Sequence, residues 1–333
     1  MYSSDKINYL IEKKYIDNLE FPNILNKAKI DTGFRCNASC YYCYYKNNLD
    51  DSFMNTDEIY YQIDKAKEFG FNKIELSGGE TSIHPDFINI IKYSSLKNLK
   101  VSTLSNCIIF KNRSILDEAI FNGLNEILIS VHGLKDTHDN IVLGKNKLEF
   151  SPFDNIIELI NEEIDVNIRI NIIIHKDNIK ELKYLFNYFL DTKVSQINLL
   201  PLNGWDDASI VLNKNNNIII DNISYLEEAI DIIKDKIDIN LRYFPYCKIN
   251  KKYHKYIKTV YHHFFDEDDW NPLLTFKEDY SIYSKEHFKD PLRLETYKNT
   301  LLNNRINSQF YKIRNKENCL NCEFDNICDG FKK

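Results

Sequence analysis

The sequence has no apolar run near the roughly 20 residues that cross a bilayer, and its first fourteen residues, MYSSDKINYLIEKK, lack the apolar stretch of a secretory signal. Both absences argue for a cytoplasmic protein with no membrane partner. An excess of basic residues is missing too: 43 Lys and Arg stand against 49 Asp and Glu, a net charge of -6. No positive field is available to hold a phosphate backbone, which disfavours nucleic acid as a partner. In a reducing compartment the eight cysteines read as metal ligands or catalytic thiols, not disulfides. The sequons at Asn37, Asn112 and Asn222 are then chance matches. Runs rich in Asn, Ile, Lys and Tyr, such as Asn215 to Ile220, recur along the whole chain and carry no functional weight. What is present is enough apolar material, 43% of 333 residues, to bury the core of one large domain plus an extension.

From residue 29 to about 201, short β-branched runs alternate with longer helical patterns, the signature of βα units around a parallel sheet. Six strands are expected: Lys29 to Phe34, Lys73 to Ser77, Lys100 to Asn106, Glu126 to His132, Asp165 to Ile174 and Ser195 to Pro201. The clearest helix runs from Thr56 to Phe69, with Thr56 as its cap and Gly70 as its stop. Successive strand side chains point to opposite faces. In the fifth strand Ile168, Ile170, Ile172 and Ile174 therefore oppose Arg169 and Asn171. The fourth strand sets Ile127, Ile129 and Val131 against Ser130 and His132, and the sixth sets Ile197 and Leu199 against Gln196 and Asn198. A solvated edge would explain one polar face, but hardly three. A closed eight-stranded barrel fills its middle with branched apolar side chains, so the pattern predicts an open, partial (βα)6 TIM-type barrel holding a polar ligand. The expected organisation is an N-terminal extension (1–28), the partial barrel (29–201) and a C-terminal region (202–333). In the last of these, Leu226 to Ile237 reads as helix and the acidic run Asp266 to Asp269 as a solvated loop.

Directly after the first strand, Cys36, Cys40 and Cys43 form a C-x3-C-x2-C triad in RCNASCYYCYY. Three thiolates in so short a loop can wrap one iron-sulfur cube and leave its fourth iron without a protein ligand. A structural zinc ion needs four protein ligands, and the next histidine, His84, is distant in sequence. The triad and the βα units after it resemble the radical S-adenosylmethionine superfamily over residues 28 to 201. The resemblance implies that Cys36, Cys40 and Cys43 hold a 4Fe-4S cluster whose open iron binds the methionine end of S-adenosylmethionine. An electron then cleaves the cofactor to a 5′-deoxyadenosyl radical that takes hydrogen from substrate, so the cofactor carries the chemistry and the protein orients it.

Further motifs follow in family order. Ser77-Gly78-Gly79-Glu80, after the second strand, resembles the turn whose backbone binds the methionine amino group, with Thr81 where proline is common. By itself it would be an ordinary turn. Leu104-Ser105-Asn106-Cys107 resembles a Thr-Asn-Gly turn, departing from it at Ser105 and Cys107. The resemblance further implies cofactor contacts by Tyr42 beside the adenine, by Ser130 at the ribose, and by Arg169 and Asn171. A methionine carboxylate or a nearby glutamate would explain an arginine on a strand of isoleucines. His132 is a candidate catalytic or substrate-contacting residue; a histidine hydrogen-bonded inside the barrel is the alternative.

Near the end of the chain Cys319, Cys322 and Cys328 form C-x2-C-x5-C, and Cys247 stands alone in Phe244-Pro245-Tyr246-Cys247. Together they resemble the Twitch extension, which implies a second, auxiliary 4Fe-4S cluster; a four-thiolate zinc site is the competing reading. The longer SPASM extension carries two clusters and needs more than the five cysteines left by the triad. Cys107 reads as a buried thiol. The function expected is oxidative radical chemistry, a dehydrogenation or cross-link, on a peptide or small metabolite. A flavodoxin- or ferredoxin-type protein would donate electrons and a separate carrier would present a peptide. Redox-neutral rearrangement or epimerisation, and a non-catalytic iron-sulfur sensor or scaffold, are the alternatives. The triad and the glycine turn together speak against the sensor, which needs neither an open iron nor a methionine site.

Overall fold

The computed structural model describes residues 27–43, 52–68, 71–202, 219, 221–242, 244–258, 274–276, 322, 324 and 328. Residues 1–26, Gly70, the acidic run Asp266 to Asp269 and Cys319 lie outside the described residues. All six expected strands are present as β1 (Lys27–Asp31), β2 (Lys73–Ser77), β3 (Lys100–Ser105), β4 (Leu124–Ser130), β5 (Asn167–Ile174) and β6 (Val194–Pro201). β1 ends before Phe34 because Gly33, at φ +115°, turns the chain out of the ladder.

Three more strands, β7 (Asp238–Arg242), β8 (Ile257–Lys258) and β9 (Leu274–Phe276), join the same sheet. Its order is β8-β7-β6-β5-β4-β3-β2-β1-β9 and every pairing is parallel. The sheet thus runs on beyond Pro201. The helix Ile223–Ile233, which overlaps the expected span Leu226 to Ile237 but begins and ends earlier, supplies the crossover from β6 to β7.

The helix Thr56–Glu68 buries Ile59, Gln62, Ile63 and Ala66 along one stripe, with Asp57 and Glu58 in its first turn and Lys65 and Lys67 in its last. Its capping oxygen comes from Asn55, which accepts from the Asp57 amide at 2.8 Å. Thr56, expected as the cap, instead donates to Asp86 at 2.6 Å, because it already lies inside the first turn.

The isoleucines of β5 that share a face (Ile168, Ile170, Ile172, Ile174) are fully buried, and so are the inner-face residues Arg169 and Asn198. Ion pairs show how that inner face is covered. Lys73 on β2 reaches past β3 to Glu126 on β4 at 3.0 Å, and Glu126 also meets Arg169 on β5 at 2.9 Å, all of them buried. The inner face closes over itself, which is the partial-barrel geometry.

Candidate active site

The loop after β1 carries the three cysteines and is pinned on both flanks. The Gly79 and Glu80 amides donate to the Gly33 and Arg35 carbonyls at 2.9 Å each. A Cβ on Gly79 would stand 2.1 Å from the Arg35 oxygen, and one on Gly78 2.2 Å from the Gly33 oxygen, so the glycine pair is what lets this turn press against the cysteine loop. On the other flank the Ser39 amide donates to Val142 at 2.7 Å and the Asn146 amide side chain to the Ser39 hydroxyl at 2.9 Å.

Cys36, Cys40 and Cys43 are half-buried. Burial, with smaller contributions from Glu80 and the neighbouring thiols, raises Cys36 to about 11 and Cys40 to about 12. Such thiols ionise when a cation shares their space. Among the described residues no three His, Cys, Asp or Glu side chains converge on a single metal ion. A cube divides its thiolates among separate irons, and three neighbouring cysteines on one braced loop fit that group.

Glu80 is a buried hub. It accepts from the Ser82 hydroxyl and amide, from the Ser105 hydroxyl at 2.8 Å and from the Asn106 amide at 2.7 Å. Burial raises its pKa against the pull of those bonds. Ser105 also accepts from the Cys107 amide at 2.9 Å. Glu80 and Ser105, expected at the cofactor, are thus engaged with each other, joining the turns after β2 and β3. Asn106, absent from the predicted site, reaches the cysteine loop: its Nδ2 donates to Asn37 Oδ1 at 2.8 Å.

Next to this loop lies a cluster of rings. Tyr42 meets His132 edge-on at 5.3 Å and His175 at 5.6 Å, and His132 stacks on His138 at 5.6 Å. The His132 amide donates to His138 Nδ1, so the His138 proton sits on Nε2. Burial holds His132 well below the ordinary imidazole value, with His138 and His175 adding to it, and burial alone takes His138 down to about 3. Tyr42 Oη, His132 Nδ1, His138 Nε2 and His175 Nε2 are buried and unpaired. His175 and His138 were missed by sequence reasoning. His175 continues the inward parity of Arg169 and Asn171 one residue past β5, and that was the available signal.

Ser130, half-buried at the end of β4, pairs in register with Asn171, whose Oδ1 is unpaired. Arg169 lies toward the other end of the strands. Its Nη1 donates to Glu126 Oε1 at 2.9 Å, and its Nε and Nη2 to Gln196 Oε1 at 2.9 and 2.7 Å. Of the two partners the sequence allows, the structure supplies the glutamate. The guanidinium belongs to a buried ion pair and not to the rim where the cysteines lie.

In the C-terminal region Phe324, between Cys322 and Cys328, stacks on Tyr246 at 4.5 Å and meets His254 at 5.1 Å. The Cys328 amide donates to the Phe324 carbonyl at 2.8 Å. Phe324 is thereby packed on the residue next to Cys247. Cys319 lies outside the described residues.

The thiols stand at the C-terminal rim, the end at which parallel βα sheets bind their ligands, and this makes the class that of partial-barrel enzymes working through a metal-sulfur cofactor. Residues 30–189 match the family described as Radical SAM superfamily. Those residues form a radical SAM domain. Such a domain implies S-adenosylmethionine and one 4Fe-4S cluster.

Among curated relatives, a probable GTP 3′,8-cyclase of Sulfurisphaera tokodaii is 25% identical over 214 residues, 63% of this chain and 64% of that protein. One of Saccharolobus islandicus is 25% identical over 231 residues, 67% of this chain and 70% of that protein. The match thus spans about two thirds of such relatives' length. Among solved structures, Streptococcus suis SuiB bound to precursor peptide SuiA superposes with a TM-score of 0.60 over 98% of this chain and 75% of that one, at 16% identity. Among the described residues no helix is long and apolar enough to cross a membrane.

Proposed function

We propose that the protein abstracts hydrogen from a peptide or small-metabolite substrate in an oxidative reaction, a dehydrogenation or cross-link. The observation that carries this reading is the placement of Cys36, Cys40 and Cys43 on one loop braced by the glycine turn. When bound, the cluster and S-adenosylmethionine supply the 5′-deoxyadenosyl radical that takes the hydrogen. The three cysteines hold the cluster. Gly78, Gly79 and Glu80 hold the loop against the turn that carries Ser105 and Asn106, which fixes the reach of the thiols. Tyr42 offers a ring to the adenine, and Ser130 lines the inner face with a polar group for the ribose. His132, neutral through burial, leaves an unpaired Nδ1 in a ring that packs against Tyr42. Arg169 supports this layer from below through Glu126.

Cys247, Cys319, Cys322 and Cys328 are proposed to hold an auxiliary 4Fe-4S cluster, which would supply an acceptor for the unpaired electron of the substrate radical. The packing of Phe324 on Tyr246 supports it. A flavodoxin- or ferredoxin-type donor reduces the first cluster, and a separate carrier would deliver a peptide. A peptide is favoured by the likeness to peptide-bound SuiB along nearly the whole chain; a nucleotide is the second reading, favoured by the cyclase relatives.

Anaerobically reconstituted protein given S-adenosylmethionine and a reductant should release 5′-deoxyadenosine, and Cys40→Ala should abolish that release. Wild-type rates in the variant would remove the cluster assignment. Iron should total about eight per chain, two cubes; about four with stoichiometric zinc would assign the C-terminal cysteines to zinc.

A further inference from the structure

Ser130, Asn171, Asn198 and Asn240 stand in register across β4 to β7, on the inner face. Asn198 and Asn240 are buried, at 0% and 2% exposure. The Asn240 Nδ2 donates to Asn198 Oδ1 at 3.0 Å, which uses the carbonyl of Asn198 and turns its Nδ2 away as a donor. That Nδ2 is unpaired, and so is Oδ1 of Asn171 on the adjacent strand. One layer nearer the N-terminal end the pattern is the opposite: the Gln196 carbonyl accepts from two nitrogens of Arg169. A buried donor and acceptor left open side by side cost stability that apolar residues would not. Core packing gives no reason for three consecutive strands to carry asparagine here.

We propose that the Asn171-Asn198-Asn240 row is the substrate-recognition site, and that it takes a planar amide, whose adjacent carbonyl and N–H complement the open donor and acceptor. Reversing every amide of the row exchanges donor and acceptor and leaves the complement the same. The row begins beside Ser130, on the proposed cofactor side, and runs toward β7, which sets a bound amide next to the reacting end of the cofactor. The inference rests on the function proposed above and specifies what its substrate presents. A peptide bond and a nucleobase lactam share this chemistry.

The test uses the reconstituted protein with S-adenosylmethionine and no reductant, observed by saturation-transfer NMR. The probes are guanosine and N-acetylglycine N-methylamide, each beside an analogue lacking the amide pair, purine riboside and methyl acetoxyacetate. At least one amide probe should receive saturation and its analogue none, and Asn198→Leu/Asn240→Leu should cut the transfer at least threefold. Guanosine alone assigns a nucleobase lactam, the blocked glycine alone a peptide, and both the shared chemistry. The double variant should melt at or above the wild-type temperature, since it removes unpaired polar atoms. Where it does not fold, Asn198→Ser keeps an acceptor for Asn240, withdraws the amide donor and should lose transfer likewise. No transfer to either amide probe, transfer untouched by the substitutions, or a fall in melting temperature of more than about 5 °C in the double variant overturns the proposal. Release of 5′-deoxyadenosine by the wild type, measured separately with reductant, judges the radical reading on its own.

Discussion

The two ends of the inner face are built from similar residues and put to opposite uses. At the N-terminal end Lys27 pairs with Glu75 at 2.8 Å, while Lys73 and Arg169 share Glu126 at 3.0 and 2.9 Å, all of them buried. At the C-terminal end Tyr42 Oη, His132 Nδ1, His175 Nε2, Asn171 Oδ1 and Asn198 Nδ2 are buried without partners. A polar side chain is costly to bury unless hydrogen-bonded. One end meets that cost internally by closing the barrel floor with ion pairs. The other leaves it open, which is the state of a surface waiting for a ligand. Polarity on the inner face therefore says that the barrel holds something polar, but only partner geometry says at which end.

The sharpest way to break this comparison is to remove Glu126. Its carboxylate serves both Lys73 and Arg169, so Glu126→Gln leaves buried cations without compensation and should cost about 3–5 kcal/mol. Urea denaturation of the apo protein checks it. At the rim, His175→Phe removes the unpaired Nε2 together with a long 3.3 Å bond from the Asp177 amide to Nδ1, and should cost no more than about 1 kcal/mol. Equal losses from both variants would erase the distinction between a closed floor and an open rim.

Arg169→Met comes next. It deprives Glu126 of one of two cations, with Lys73 remaining, so the loss should be smaller, about 2–3 kcal/mol, below the full cost of breaking a buried pair. S-adenosylmethionine affinity, by calorimetry on the reconstituted folded variant, should stay within about twofold, under 0.5 kcal/mol. A tenfold weaker affinity with an unchanged melt would return Arg169 to the cofactor site.

Acid should open the two ends at different pH. Burial opposes the charge on Glu126, but Arg169, Lys73 and Lys27 outweigh it and hold the carboxyl at about 2. A carboxyl lowered in the folded state stabilises above its unfolded value, near 4.5, and loses that contribution as pH falls toward 2. His138, lowered by burial from 6.5 to about 3, likewise stabilises above 6.5 and loses its contribution as pH falls from 6.5 toward 3, because the unfolded chain takes up the proton first. The melting temperature should therefore begin to fall near pH 6.5, from the rim. His138→Gln should flatten the decline between pH 6.5 and 4.5, whereas Glu126→Gln should leave that stretch of the curve unaltered. The reverse pattern would place the acid-sensitive groups at the floor.

How much of this was legible from the residues follows from the range of each signal. The triad Cys36, Cys40 and Cys43 and the six strands are local patterns, and the alternation along Ile168 to Ile174 located the inner face correctly. The partners of Arg169 and of Glu80 are not local. Glu126 is 43 residues from Arg169, and Ser105 is 25 from Glu80, so strand register decides those pairings and one sequence does not state it. β7 was hidden because DINLR is short and ends in charges at both sides. Asn55 took the capping role expected of Thr56 for a subtler reason, a helix start displaced by one residue.

The smallest expected effect lies in the turn after β3, at the rim. Cys107 takes φ +59°, the left-handed region that costs a non-glycine residue about 1–2 kcal/mol, at the position where the family turn resembled by Ser105-Asn106-Cys107 has glycine. Its side chain is fully buried, and the backbone is held there by bonds from its amide to Ser105 at 2.9 Å and from Asn155 to its carbonyl at 2.7 Å. Cys107→Ala keeps the strained backbone and loses the sulfur contacts, so it should destabilise by about 1 kcal/mol. Cys107→Gly loses those contacts too and adds about 0.5–1 kcal/mol of unfolded-state entropy, but it relieves the strain, leaving a net change within about 1 kcal/mol of zero. Glycine should therefore equal or exceed alanine in urea midpoint at this one buried position, the reverse of the usual order. Alanine clearly ahead of glycine would show that the hydrogen bonds to Ser105 and Asn155 hold this backbone without strain.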